Sequence, residues 1–170
     1  MPDAVQIRPA RSDEHGAVAE LTARVYLDEG WADEDYEQVL RDVPDRAAQA
    51  DVLVAVVAGR VVGAVTVAAR GGPYAELAGP GEAVVRMLVV DPQARGQGVG
   101  EALVRACLTS ARAHGCTTVR LSTQPEMRAA HAIYARLGFT RTPDLDWRPV
   151  PDVLLLAYAL QLPADDDAQT

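Results

Sequence analysis

The chain has no lysine and no asparagine, so all of its fixed positive charge is carried by arginine. Without lysine there can be no Walker phosphate loop, which needs Gly-Lys-Ser/Thr. There is also no ε-amine on the chain itself to be modified. Only two cysteines occur, Cys107 and Cys116, too few for a disulfide framework and without metal-ligand spacing, so both are expected as small core or near-surface residues and no metal is expected. No apolar run approaches the roughly 20 residues that span a bilayer. Basic charge is short as well: 16 Arg against 24 Asp and Glu give a net charge of -8, which argues against nucleic acid or an anionic membrane as partner. Met1-Pro2-Asp3 lacks the basic start of a signal peptide, and a cytoplasmic location is expected.

What the chain does have is a β-branched run over residues 84–90 joined to its best helix through Asp91-Pro92-Gln93-Ala94-Arg95-Gly96-Gln97-Gly98-Val99-Gly100. Pro92 cannot donate to a ladder and disfavours helix at Asp91, so the strand should stop there. Gly96, Gly98 and Gly100 carry no Cβ, which lets consecutive backbone N–H groups converge on a ligand at the start of a helix. The helix-start partial charge and the Arg95 guanidinium suit a phosphate or pyrophosphate. The dinucleotide fingerprint fits poorly, because Gly98 and Gly100 are followed by Leu103 in the third position. An ordinary Gly-rich turn is the plain alternative.

The spacing Arg95-x-x-Gly98-x-Gly100 after Leu88-Val89-Val90-Asp91-Pro92 resembles the acyl-CoA signature of the GNAT superfamily of N-acetyltransferases. Downstream, Ala130-x-x-x-Tyr134-x-x-x-Gly138-Phe139 is similar to that family's second conserved segment. Together the two cover about a third of the chain, residues 82–139. One position departs: the family often has asparagine seven residues before the tyrosine, and here it is Met127.

In chain order, residues 4–9 alternate as a first strand, and Ser12 caps a helix whose stripe is Val18, Leu21 and Val25. An acidic stretch, residues 28–37, with Trp31 and Tyr36, runs into a short second helix ending before Pro44. Residues 52–57 and 61–69 form a hairpin about Ala58-Gly59-Arg60, and a Gly/Pro loop leads to the central strand, 83–90. The helix after the cradle closes at His114-Gly115; strand 117–122, helix 126–137 and strands 139–142 and 153–160 follow. Residues 1–163 make one domain, and 164–170 read as an acidic frayed tail. This order agrees with an α/β fold, and the resemblance implies its form: a mixed, mostly antiparallel central sheet flanked by helices, with splayed fourth and fifth strands. In that fold the acyl-CoA enters the wedge between those strands.

The resemblance also implies roles. Acetyl-CoA is the co-substrate. Leu88, Val89 and Val90 lie along the pantetheine, with main-chain pairing from Leu88 and Val90, and Arg95, Gly96, Gln97, Gly98, Val99 and Gly100 hold the pyrophosphate. A backbone N–H exposed by a bulge near Met87 or Leu88 meets the thioester carbonyl, and Tyr134 protonates the CoA sulfur. On the residues alone, Tyr134 reads equally as a core anchor among Ala130, Ile133 and Leu137. The base is open among Glu82, at the start of the central strand, and Glu29 and Glu34; His15, His114 and His131 read as ordinary helix residues. Glu29, Trp31 and Glu34 would wall the acceptor site, because the segment between the first two helices borders it in this family; an acidic mouth with Trp31 would draw in an ammonium. Two functions stay open, a sequential N-acetyltransferase acting on a primary amine and a non-catalytic acyl-CoA-binding sensor. The acceptor and any homodimer are not readable from these residues.

Overall fold

The computed structural model describes residues 4–76 and 78–163; the expected tail lies outside them. Strand β1 is Gln6–Pro9, followed by a short 3-10 turn, Ser12–Glu14, and helix α1, His15–Asp28. Helices α2, Glu34–Arg41, and α3, Val43–Gln49, precede β2, Asp51–Val57, β3, Arg60–Ala68, and β4, Glu82–Val90. Helix α4, Val99–Ala113, leads to β5, Thr118–Thr123, and α5, Arg128–Leu137, to β6, Thr140–Arg141. The hairpin β7, Trp147–Val150, and β8, Val153–Gln161, ends the described fold.

The strands form one sheet in the order β1-β2-β3-β4-β5-β8-β6, with β7 on β8. The β4–β5 pair is parallel and the others are antiparallel, as a mixed sheet requires. One face buries Leu103, Val104 and Cys107 of α4 and Tyr134 of α5 against Val65, Val85 and Val119. The other buries Val18, Leu21 and Val25 of α1 against Val54 and Ala64, with Tyr26, Leu40 and Tyr74 beside Val84 and Met87. β3 runs buried from Val62 to Ala68 because it is covered on both faces. No described helix is long and apolar enough to cross a membrane.

Three details differ from the expectation. Ser12 lies inside the first turn, where Arg11 takes the capping position and its N–H donates to the Glu14 carboxylate at 2.9 Å. Pro44 does not follow a helix so much as open one, since its fixed φ suits the first turn of α3, which Asp42 caps. The segment before β8 contributes β7, whose Trp147 to Val150 pairing carries a register shift.

Candidate functional site

Two features open the middle of the sheet. Strands β4 and β5 pair only from Glu82 opposite Thr118 to Val85 opposite Leu121. Beyond Val85, β4 continues to Val90 with no strand on that edge among the described residues. On its other edge the ladder passes from Thr66 opposite Arg86 to Ala64 opposite Val89, so Met87 and Leu88 face Val65 alone. That is a bulge on β4, and Met87 holds φ 56°, a left-handed conformation that side chains resist and that is found at functional sites. It stands where the resemblance located it. The Asp91 N–H donates to Val62 O at 2.8 Å; alternation along the ladder therefore turns the N–H and C=O groups of Leu88 and Val90 toward the open edge.

At the end of β4 the Asp91 carboxylate accepts from the Gln93 N–H at 2.9 Å and closes a 3-10 turn over Pro92–Ala94. Gly96 and Gly98 follow at φ 79° and 78°, and Gly98 caps α4. The first helical bond runs from the Ala102 N–H to Gly98 O, so the N–H groups from Gly96 to Glu101 have no backbone acceptor among the described residues. Together they form a concave set of donors at a helix start. Gly96 and Gly98 are glycines for their backbone, with nothing within 4 Å of a built Cβ; Gly100 is one for packing, since a Cβ there would lie 2.7 Å from Ile133 Cδ1 of α5. Gln97 is exposed, and the Val99 side chain goes into the core, leaving only its N–H for a ligand.

Below the bulge, in the wedge, lies a cavity of about 480 Å³ lined by Tyr26, Trp31, Tyr36, Val84–Leu88, Ser122–Gln124, Tyr134 and Trp147 among others. The Gln124 Nε2 donates to Trp31 O at 2.8 Å and so ties the α1–α2 loop across to the end of β5. Trp31 stands edge-on to Tyr26 at 5.6 Å, and the Trp147 Nε1–H donates to Ser122 Oγ at 3.2 Å. Tyr134 is 5 % exposed, its ring 5.6 Å from Phe139, and its hydroxyl makes no hydrogen bond to a described residue. Burial pushes its phenol well above the usual range.

The carboxylates fall out differently from the sequence expectation. Glu82 accepts from Arg120 Nε and Nη2, both at 2.9 Å, and from the Gly79 N–H at 2.7 Å, and it does not line the cavity. The Arg120 guanidinium holds its carboxyl below the usual range, which makes it a weak base pointed elsewhere. Glu29 pairs with Arg95 Nη1 at 3.3 Å beside the cradle, and Glu34 sits in the first turn of α2; neither lines the cavity. Trp31 does, and the carboxylates that accompany it are Asp33 and Glu76. Arg86, also on the cavity wall, was missed, although it is the one charge inside the apolar run 83–90. The His131 ring nitrogen lies 3.0 Å from Gln124 O, outside the lining, and both cysteines are buried.

The fold defines the class, a mixed α/β sheet flanked by helices whose strands β4 and β5 part beyond Val85. The chain belongs to the acetyltransferase (GNAT) family, whose model matches residues 16–139. Among solved structures it is similar to an acetyltransferase of the GNAT family from Staphylococcus aureus Mu50, with TM-score 0.76 and 15 % identity, over 94 % of this chain and 100 % of that one. It is likewise similar to yncA from Salmonella typhimurium, solved with its cofactor acetyl-CoA, with TM-score 0.71 and 21 % identity over 96 % and 97 % of the two chains. A ribosomal-protein-alanine N-acetyltransferase from Brucella melitensis gives TM-score 0.68 and 20 % identity over 92 % and 99 %. At such identities the likeness is one of fold. No curated protein matches the chain in sequence.

Proposed function

We propose that this protein transfers the acetyl group of acetyl-CoA to the nitrogen of a primary amine, by direct attack with both substrates bound together. The observation that carries the reading is the succession of three features along β4: the unpaired amides at the start of α4, the open edge of β4 at Leu88 and Val90, and the cavity that Leu88 and Tyr134 help to line. The first suits the pyrophosphate, the second an extended amide-bearing arm, and the third the thioester and its acceptor. In the reaction the amine nitrogen bonds to the carbonyl carbon as the C–S bond breaks. Starting from the ammonium, the nitrogen gives up two protons and keeps one as the amide N–H; one of the two ends on the sulfur and the other goes to solvent.

The amine must be neutral to attack, whereas a free alkylammonium titrates near ~10. Asp33 and Glu76 line the cavity and can pass its proton to water. The bulge at Met87 and Leu88 presents main-chain N–H to the carbonyl as charge develops on its oxygen. Tyr134 remains protonated across the working range because burial raises it, and it donates to the departing sulfur.

Thiol release from acetyl-CoA across an amine library tests the reading, with Tyr134→Phe as the control. The variant should lose roughly 100-fold or more in kcat while KM for acetyl-CoA stays within about threefold. An unchanged kcat removes Tyr134 from the reaction. Acetyl-CoA binding with no release against any amine makes the protein a sensor instead.

A further inference from the structure

The cavity wall carries one arginine, Arg86, that the transfer reaction does not require, and a second arginine lies behind it. The Arg86 Nη2 lies 3.4 Å from the Tyr36 hydroxyl with the guanidinium 5.5 Å above the Tyr74 ring. Arg46 of α3 stands behind. Its Nε donates to Thr66 Oγ1 at 3.1 Å, and Thr66 is the residue directly opposite Arg86 across β3 and β4. Its Nη1 donates to the carbonyls of Val39 and Leu40 at 3.1 and 3.2 Å, and only 1 % of the residue is exposed.

Neither guanidinium has a carboxylate partner among the described residues. Arg8 and Arg120, the other arginines withdrawn from solvent, are each held by a glutamate through two hydrogen bonds. The arginines without an acidic partner elsewhere in the described chain are all exposed. In a chain with eight more acidic than basic residues, two neighbouring arginines beside the cavity thus have no salt-bridge partner among the described residues. Withdrawing a charge from water is costly unless something pairs it, and a ligand anion does so. The planar guanidinium fork matches a carboxylate. The opposite signs are also present, because Asp33 and Glu76 line the same cavity. Its volume of about 480 Å³ is of small-molecule size.

We propose that the acceptor is a small amine that also carries a carboxylate, with Arg86 binding the carboxylate, Arg46 reinforcing its field, and the amine lying toward the thioester. This rests on the acetyl-transfer reading and adds the acceptor's class to it. The two cations also disfavour a charged nitrogen nearby, which helps the acceptor reach its neutral form.

The test is thiol release from acetyl-CoA with matched triplets: amino acids, their carboxamides, and the amines lacking the carboxyl group. The acids should exceed their amides in kcat/KM by roughly 10- to 100-fold. Arg86→Gln should erase that preference mainly through KM, and Arg86→Lys should restore part of it. Amides equal to acids, or a preference untouched by Arg86→Gln, would overturn the proposal and leave acetyl transfer to amines standing. Calorimetry with the N-acetylated acids gives a readout independent of turnover. They should bind the wild-type protein more tightly than the N-acetylated amides and lose that advantage in Arg86→Gln. If no amine in the library reacts, the transfer reading fails, and binding of the acids that is no tighter than that of the amides then overturns the anion site as well.

Discussion

Glu82 and Tyr134 show what a residue's neighbours decide that its type does not. Both are plausible proton carriers by chemistry, yet only Tyr134 reaches the cavity, while Glu82 is committed to Arg120 and to the Gly79 N–H. Glu82 joins the start of β4 to β5 at the point where the two strands still pair, just before they part. Its work is to hold the closed end of the wedge. Glu82→Gln should therefore keep kcat within about threefold, since a catalytic base would cost roughly 100-fold or more. The same substitution should lower the thermal midpoint, because Arg120 is left half-buried without its charge partner. A kcat loss of 100-fold with an unchanged midpoint would return the base to Glu82.

At the scale of elements, the cradle is the part most legible in the sequence, and its three glycines turn out to act in two ways. Gly98 at φ 78° is needed for its backbone. Gly98→Ala should cost about 1–2 kcal/mol in stability and weaken acetyl-CoA binding, because the strain falls on the amides that face the ligand. Gly100 is needed for the approach of α5, where Ile133 Cδ1 would be 2.7 Å from a new methyl group. Gly100→Ala gains helix propensity of about 1 kcal/mol and must move Ile133, so the two effects nearly cancel. Ile133→Val should convert the substitution into a net stabilisation, measured by denaturant unfolding in a double-mutant cycle. A coupling of zero between the two positions would refute the contact.

The β4 limits, the hairpin at Ala58-Gly59 with its φ of 51° and 76°, and the stop of α5 at Gly138 were legible because Pro, Gly and alternation act locally. Helix α3 was not, since Pro44 ends a helix and begins one equally well. Nor was the packing behind the cavity wall at Arg86. Arg46 meets Thr66 and Tyr74 meets Asp45 only through tertiary packing, and a periodicity argument carries no information about such partners. The acidic residues 28–37 illustrate the same limit: composition placed negative charge near the cavity, but which carboxylates face it was settled by the turn into α2, where Asp33 caps the helix and Glu29 faces Arg95.

For the whole molecule, the net charge of -8 raises the question of what offsets carboxylate repulsion in the fold, and part of the answer is a set of arginine pairs that tie separate elements together. Arg8 of β1 grips Glu14 through two bonds of 2.7 and 2.8 Å, and the Arg11 N–H adds a third. These hold the Glu14 carboxyl down at about 2, with Arg8 the first cause and Arg11 the second. Glu82 is lowered by Arg120, and Glu101 is lowered by Arg136, which links α4 to α5. An unfolded glutamate titrates near ~4.3, so the unfolded chain binds protons first as pH falls. The Glu14 contribution is accordingly present in full above about pH 4.3 and is lost as the pH drops toward 2. The thermal midpoint should be flat from neutral pH to about 5 and should then fall steeply. Glu14→Gln should start from a lower midpoint at neutral pH and show a shallower acid limb, converging on the wild type near pH 2. Parallel curves for the two proteins, measured by calorimetry from pH 7 to 2, would show that the β1 to α1 clasp is not among the groups that set acid stability.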